Sequence, residues 1–155
     1  MLKAYFQKLF KYNEWANQNT LNAVEKAGQQ SEEIVKLLSH IVAAQEVWLA
    51  RVLNTDSQNQ PIWPEYSLEE IKEKLPESSE EWSEFVETMN DDHFKEEHQY
   101  TNSKGDLYKS TMEDVILHIV NHSTHHRAQI SKLLREQGEE PPVTDYIFFS
   151  REKKE

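Results

Sequence analysis

Apolar residues recur at alternating steps of three and four along most of the chain, and that spacing predicts four long helices. Over residues 2–27 the series Leu2, Phe6, Leu9, Asn13, Ala16, Thr20 and Val24 makes one seam. Tyr5, Tyr12 and Trp15 widen it, and Gly28 marks its end. Asn13 interrupts the apolar series and is expected to be a buried hydrogen-bonding residue. A second helix opens at Ser31, with Glu32 and Glu33 in its first turn, and runs to about Asn54. Its apolar surface is broad: Ile34, Leu37, Leu38, Ile41, Ala44, Val47, Trp48 and Val52. The third helix, from Ser67 to about Asn90, turns Leu68, Ile71, Leu75, Trp82, Phe85, Val86 and Met89 inward. Pro76 lacks an amide hydrogen and is expected to kink or interrupt it, with a restart at Glu77-Ser78-Ser79-Glu80. The fourth helix covers 111–137, with Thr111 as N-cap candidate, Glu113 and Asp114 in its first turn, and Gly138 and Pro141-Pro142 beyond its end.

The connections differ in character. Thr55–Ser67 reads as a loop, with Trp63 either pinned over the core or forming one wall of a pocket mouth. Residues 91–110 predict a short hairpin that turns at Lys104-Gly105-Asp106, between Phe94–Thr101 and Leu107–Ser110. His93 and His98 fall here, off any helix face, and are expected at the surface. After the fourth helix, 141–149 form an apolar stretch that packs on the bundle or on a partner chain. Only three Gly and five Pro in 155 residues favour helices with short connections over a β-sandwich. The expectation is one all-α domain over 1–155, a four-helix bundle with a hairpin or loop before its last helix.

The histidines change the picture. Met112, Val115, Ile119, His122, His126, Gln129 and Leu133 form the seam of the fourth helix, so His122 and His126 occupy positions where Leu or Ile is the default. Four residues apart, they project from one helix face. His118 stands at the edge of this stripe and His125 off it. Paired buried imidazoles are costly unless satisfied, either by neighbours and water or by a metal ion such as zinc, nickel, copper or iron. A useful metal site needs a third ligand. His40 is the natural candidate, on the ridge Leu37–His40–Ala44–Val47 of the second helix. Read alone, it is an ordinary core histidine. Three imidazoles would leave coordination positions open, the ligand set of a catalytic site.

Charge and composition exclude more than they assign. The net charge of −11 argues against non-specific nucleic-acid binding, which needs a basic footprint. The absence of cysteine removes disulfides, thiolate metal sites and a cysteine nucleophile. The first residues lack a signal-peptide core, and no run approaches the roughly 18 apolar residues of a membrane span. A cytoplasmic protein is the expectation.

The segments LSHIVAAQEVWL, HIVNHSTHHRAQISKLLR and TDYIFF, in that order, resemble the DinB/YfiT-like family of small bacterial proteins, regarded as metalloenzymes. The most specific part is the NHxxxHRxQ pattern around His122 and His126; Ala128 stands where the family often has Gly. The resemblance implies a bundle of up-down-down-up connectivity, frequently a homodimer. It also implies a divalent metal held by His40, His122 and His126, with zinc or nickel ahead of iron. The activity it implies is action on a small molecule. First comes transfer of a low-molecular-weight thiol by a thiol-dependent S-transferase, then hydrolysis by metal-activated water. The alternative is a non-catalytic metal-binding or stress-response bundle. Glu46, Asn13 and Gln129 are candidate hydrogen-bond partners for the ligand rings, and no catalytic acid or base stands out.

Overall fold

A computed structural model describes residues 1–28 and 31–154. Five helices alternate with one hairpin: α1 Leu2–Ala27, α2 Glu32–Val52, α3 Leu68–Glu87, β1 Glu97–Thr101, β2 Leu107–Thr111, α4 Met112–Glu136 and α5 Tyr146–Ser150. The predicted caps form. The side chain of Ser31 accepts from the Ile34 amide, Ser67 and Glu70 make a reciprocal capping box, and Thr111 accepts from the Asp114 amide. Gly28 closes α1 at φ 71°, a left-handed conformation that costs a side-chain-bearing residue more.

Paired residues give the connectivity. Ascending α2 and α3 together, Ser39 reaches Tyr66 and Gln45 meets Ser78 and Trp82, so these two helices are parallel. Asn13 of α1 meets Gln45, Phe10 stacks on Trp82, and Asn17 meets Arg127 of α4. The bundle is therefore up-down-down-up. Because α2 and α3 run in the same direction, residues 53–67 must cross the length of the bundle, and they do so over the outer surface of α2.

Two apolar clusters fill the two ends. One gathers Phe6, Phe10, Leu49, Val52, Trp82, Phe94, Met112 and Ile119. The other gathers Leu21, Ile34, Leu38, Ile41, Ile71, Leu75, Ile130 and Leu134. Each such side chain contributes roughly 1.5–3 kcal/mol by leaving water. Between the clusters lies a polar layer: Asn13 and Asn17 of α1, Gln45 of α2, Ser78 of α3 and Arg127 of α4, all buried.

Four local expectations need correction. First, Pro76 does not interrupt α3, which is one helix from Leu68 to Glu87. Ser78 and Ser79 do not cap a restarted helix; both are buried and donate back to the Leu75 carbonyl. Second, Phe94 belongs to a short 3₁₀ turn, Asp91–Lys95, rather than to a strand, and is fully buried against Phe6. The hairpin itself pairs as expected, with Tyr100 opposite Tyr108 and Gly105 in the turn at φ 89°. Third, in α1 Phe10 is core while Tyr5 is 53% exposed. Fourth, the buried stripe of α4 is Met112, Val115, Ile116, Ile119, Val120, Ser123, His126, Arg127, Ile130 and Leu134. Beyond Ile119 only His126 of the expected seam stays in it: Gln129 is exposed and His122 and Leu133 are half-buried. A three–four alternation averages 3.5 residues per turn, and a straight helix drifts away from it by about 20° per heptad.

The C-terminal stretch adds a helix the pattern did not resolve. In α5, Tyr146 and Phe149 pack on Tyr12, and Phe149 also meets Trp15. Ile147 and Phe148 face outward, 59% and 40% exposed. No helix among the described residues is long and apolar enough to cross a membrane.

Candidate metal centre

The drift of α4 has a consequence for its histidines. It rotates His122 and His126 to the border between core and solvent, on the side facing α2. There they meet His40, and one ligand atom from each of the three rings lies within 4.8 Å of the others. The Nε2 atom of His122 is 2.9 Å from Nε2 of His40 and 3.2 Å from Nε2 of His126.

Hydrogen bonds on the far sides of the rings fix what those nitrogens can do. Nδ1 of His40 lies 2.7 Å from the Ile62 carbonyl oxygen. A carbonyl only accepts, so a neutral His40 carries its hydrogen on Nδ1 and turns a lone pair on Nε2 toward the cluster. Nδ1 of His126 lies 2.6 Å from Oε1 of Gln129, with the same result. Nδ1 of His122 is buried and has no partner among the described residues. A neutral His122 has one hydrogen. Placed on Nε2, it satisfies one neighbouring lone pair and leaves the other facing it. A cation at the junction satisfies all three.

Protonation does not supply that cation easily. Burial, then the neighbouring His40, His126, His118 and His125, push the His122 imidazolium down to about 3. Burial also lowers His40, partly offset by Ile62, and lowers His126, partly offset by Gln129. The rings are neutral at pH 7, the state in which imidazole binds metal. The donor set fits a divalent ion such as zinc, nickel or iron.

Trp63 covers the cluster. Its ring lies parallel to that of His40, with centroids 3.6 Å apart and planes within 5°. It also meets the His126 ring edge-on at 6.0 Å, and it remains 47% exposed. The loop therefore lies over the histidines rather than over the apolar core. It contributes two things: the Ile62 carbonyl and the Trp63 face.

The remaining sequence candidates fall elsewhere. His118 lies at the surface of α4, with its ring 5.2 Å from Trp48 and 5.5 Å from His122; partial desolvation of the ring, then Arg51, lowers its pKa. His125 is exposed, and its ring is 5.0 Å from that of His126. His93 accepts from the Asn90 amide, and His98 lies in β1; both are half-buried and neither joins the cluster. Of the proposed ring partners only Gln129 serves. Asn13 donates to Gln45 and accepts from Arg127. Glu46 accepts from the Tyr66 hydroxyl, 2.8 Å away, and pairs with Lys74. Burial and then Glu46 push that hydroxyl up to about 12.

Arg127 was missed by the spacing argument. It is 1% exposed and is held at 2.7–3.2 Å by Asn13, Asn17, Tyr12 and Thr124, with no carboxylate among its partners. A 3.6-residue period through Ile116, Ile119, Ser123, Ile130 and Leu134 passes through it and would have found it. The Ile62 carbonyl is a backbone atom and left no such signal.

Over residues 1–155 the chain matches the DinB family. It belongs to that family. Among curated proteins it is similar to Protein DinB of Bacillus subtilis (strain 168), 25% identical over 167 residues that cover 95% of this chain and 96% of the relative. The fold is similar to the crystal structure of a DinB-like protein from Bacillus cereus ATCC 10987. That match has a TM-score of 0.66 at 18% identity, and covers 89% of this chain and 94% of the other. The three histidines of this DinB-family chain lie close enough together to hold a metal ion.

Proposed function

We propose that His40, His122 and His126 bind one divalent metal ion, zinc or nickel ahead of iron, and that the site acts on a small molecule. The observation that carries this reading is the convergence of three Nε2 atoms, two of them fixed as acceptors by Ile62 and Gln129. Three protein ligands leave room for a further one, and a metal there would ionise or polarise a substrate thiol or a water molecule. Thiol transfer ranks ahead of hydrolysis.

The chain's own residues have separate tasks. Ile62 and Gln129 orient two rings. Burial keeps all three rings neutral and available. Trp63 stacks on His40 and excludes water from one side, so it must tilt away for a substrate to enter from there. The exposed apolar group Val143, Ile147 and Phe148 is the surface offered for a homodimer.

The test is turnover. Protein loaded in turn with zinc, nickel and iron is mixed with low-molecular-weight thiols and electrophiles, and separately with ester and amide substrates. Metal-dependent loss of free thiol that disappears in His40→Ala supports transfer. Product release without thiol supports hydrolysis. Trp63 favours a second reading, a non-catalytic metal-binding bundle, because it occupies the approach to His40. That reading predicts metal binding without turnover of any probe, including in Trp63→Ala.

A further inference from the structure

Arg51 is a cation whose position is built and whose charge is unused. It lies in the last turn of α2, half-buried, with its guanidinium 4.6 Å from the Trp48 ring centroid and 5.4 Å from that of Tyr100 in β1. The two rings also meet each other edge-on, with centroids 4.9 Å apart, and the guanidinium packs against this pair. No hydrogen bond or ion pair is made by its side chain among the described residues. Its Nε is buried and has no partner among the described residues, and the side chain lines a groove. Burial lowers its pKa, partly offset by the Tyr100 phenol, and no carboxylate contributes.

Two ordinary explanations fail. A cation in the last turn can complement the helix dipole and cap free carbonyls. Here the carbonyls of Leu49, Ala50 and Arg51 already accept from the amides of Leu53, Thr55 and Asn54. A surface arginine can also pair with a nearby carboxylate. The one acid lining the groove, Asp56, accepts instead from the amide and side chain of Asn59.

The groove has a volume of about 460 Å³, and its walls carry Asn54, Thr55, Ser57, Gln58, Gln99 and Thr101 beside Arg51. These are neutral hydrogen-bonding side chains around one open guanidinium fork, the composition that suits an oxyanion. We propose that Arg51, packed against the contacting rings of Trp48 and Tyr100, is an oxyanion-binding subsite for a carboxylate or phosphate group of a small molecule. The subsite adjoins the histidine cluster by ring contacts: Trp48 meets His118, and His118 meets His122. It is thus placed to hold the charged end of a ligand whose other end reaches the histidines. That placement rests on the metal reading above; anion binding at Arg51 does not.

Heteronuclear NMR of the arginine Nε–Hε and tryptophan Nε1–Hε1 groups tests this on chelator-treated protein. Inorganic phosphate and acetate are titrated separately, with sodium chloride at matched ionic strength. The expected result is a saturating shift of the Arg51 and Trp48 signals with phosphate or acetate and none with chloride. It is lost in Arg51→Gln, weakened in Arg51→Lys and retained in His122→Ala. Whichever anion saturates identifies the group. Shifts that grow linearly and equally with chloride, or saturation that survives in a folded Arg51→Gln protein, would overturn the proposal. Retention in His122→Ala keeps this outcome separate from any failure of the metal site.

Discussion

Two groups of polar side chains lie in the middle of this bundle, and they differ in how completely the protein satisfies them. The Arg127 layer is nearly closed, with Arg127 Nε and Asn17 Nδ2 alone in it lacking a partner among the described residues. The terminal nitrogens of Arg127 meet four oxygen acceptors, and the layer continues through Asn13 and Gln45 to Ser78, tying all four helices together. The histidine cluster is open. Two of its three outer nitrogens are satisfied by Ile62 and Gln129, and the single hydrogen of His122 can meet only one of the two lone pairs that face its Nε2. A buried polar network supplied with its own partners specifies structure; one with more converging acceptors than donors calls for a ligand.

The largest expected effect falls on the closed side. Arg127→Ala strands Asn13, Asn17 and Tyr12 in the core and should cost roughly 3 kcal/mol or more in urea unfolding, from several unmet buried groups at about 1–3 kcal/mol each. His122→Leu, measured in metal-free protein, should be neutral or stabilising, because it removes a lone-pair conflict and adds apolar contact. Equal losses in the two variants would erase the distinction between the regions.

The next effect sharpens the open side. Gln129→Leu leaves the three ligands intact but frees the His126 ring to rotate and change tautomer. Zinc affinity measured by competition with a chelating dye should fall by roughly 10–100-fold. An unchanged affinity would mean that the Gln129 contact does not orient the ring.

The pH dependence is smaller and has a definite sign. His122 has its folded pKa depressed to about 3 from an ordinary 6.5. Above pH 6.5 both folded and unfolded chains leave it neutral. As pH falls below that value the unfolded chain takes the proton first, so stability is lost progressively toward pH 3. The stability of metal-free His122→Leu relative to the parent should therefore grow between pH 7 and pH 5. A constant difference over that interval would show that His122 titrates normally.

Much of this was legible in the sequence, for physical reasons that also mark where legibility stopped. Helices α1 to α4 announced themselves because amphipathic periodicity and the caps Ser31, Ser67 and Thr111 agree. The grouping of His40 with His122 and His126 followed from placing polar residues on two facing seams. Pro76 misled because losing one amide hydrogen bond does not end a helix whose Leu75, Trp82 and Val86 are held in the core. Arg127 escaped because a heptad frame was laid on a straight helix. Ile62 escaped, and Trp63 was left between the core and a pocket mouth, because where a long loop lies is set by tertiary contacts, not by local pattern.

The central claim is that the open cluster is a metal site. Elemental analysis of tag-free protein, after reconstitution with zinc, nickel or iron and removal of excess ion, tests it directly alongside His40→Ala and His122→Ala. The account predicts about one bound metal per chain in the parent and loss of it in both variants. A parent that retains no metal under any of the three reconstitutions, or variants that retain as much as the parent, would contradict it.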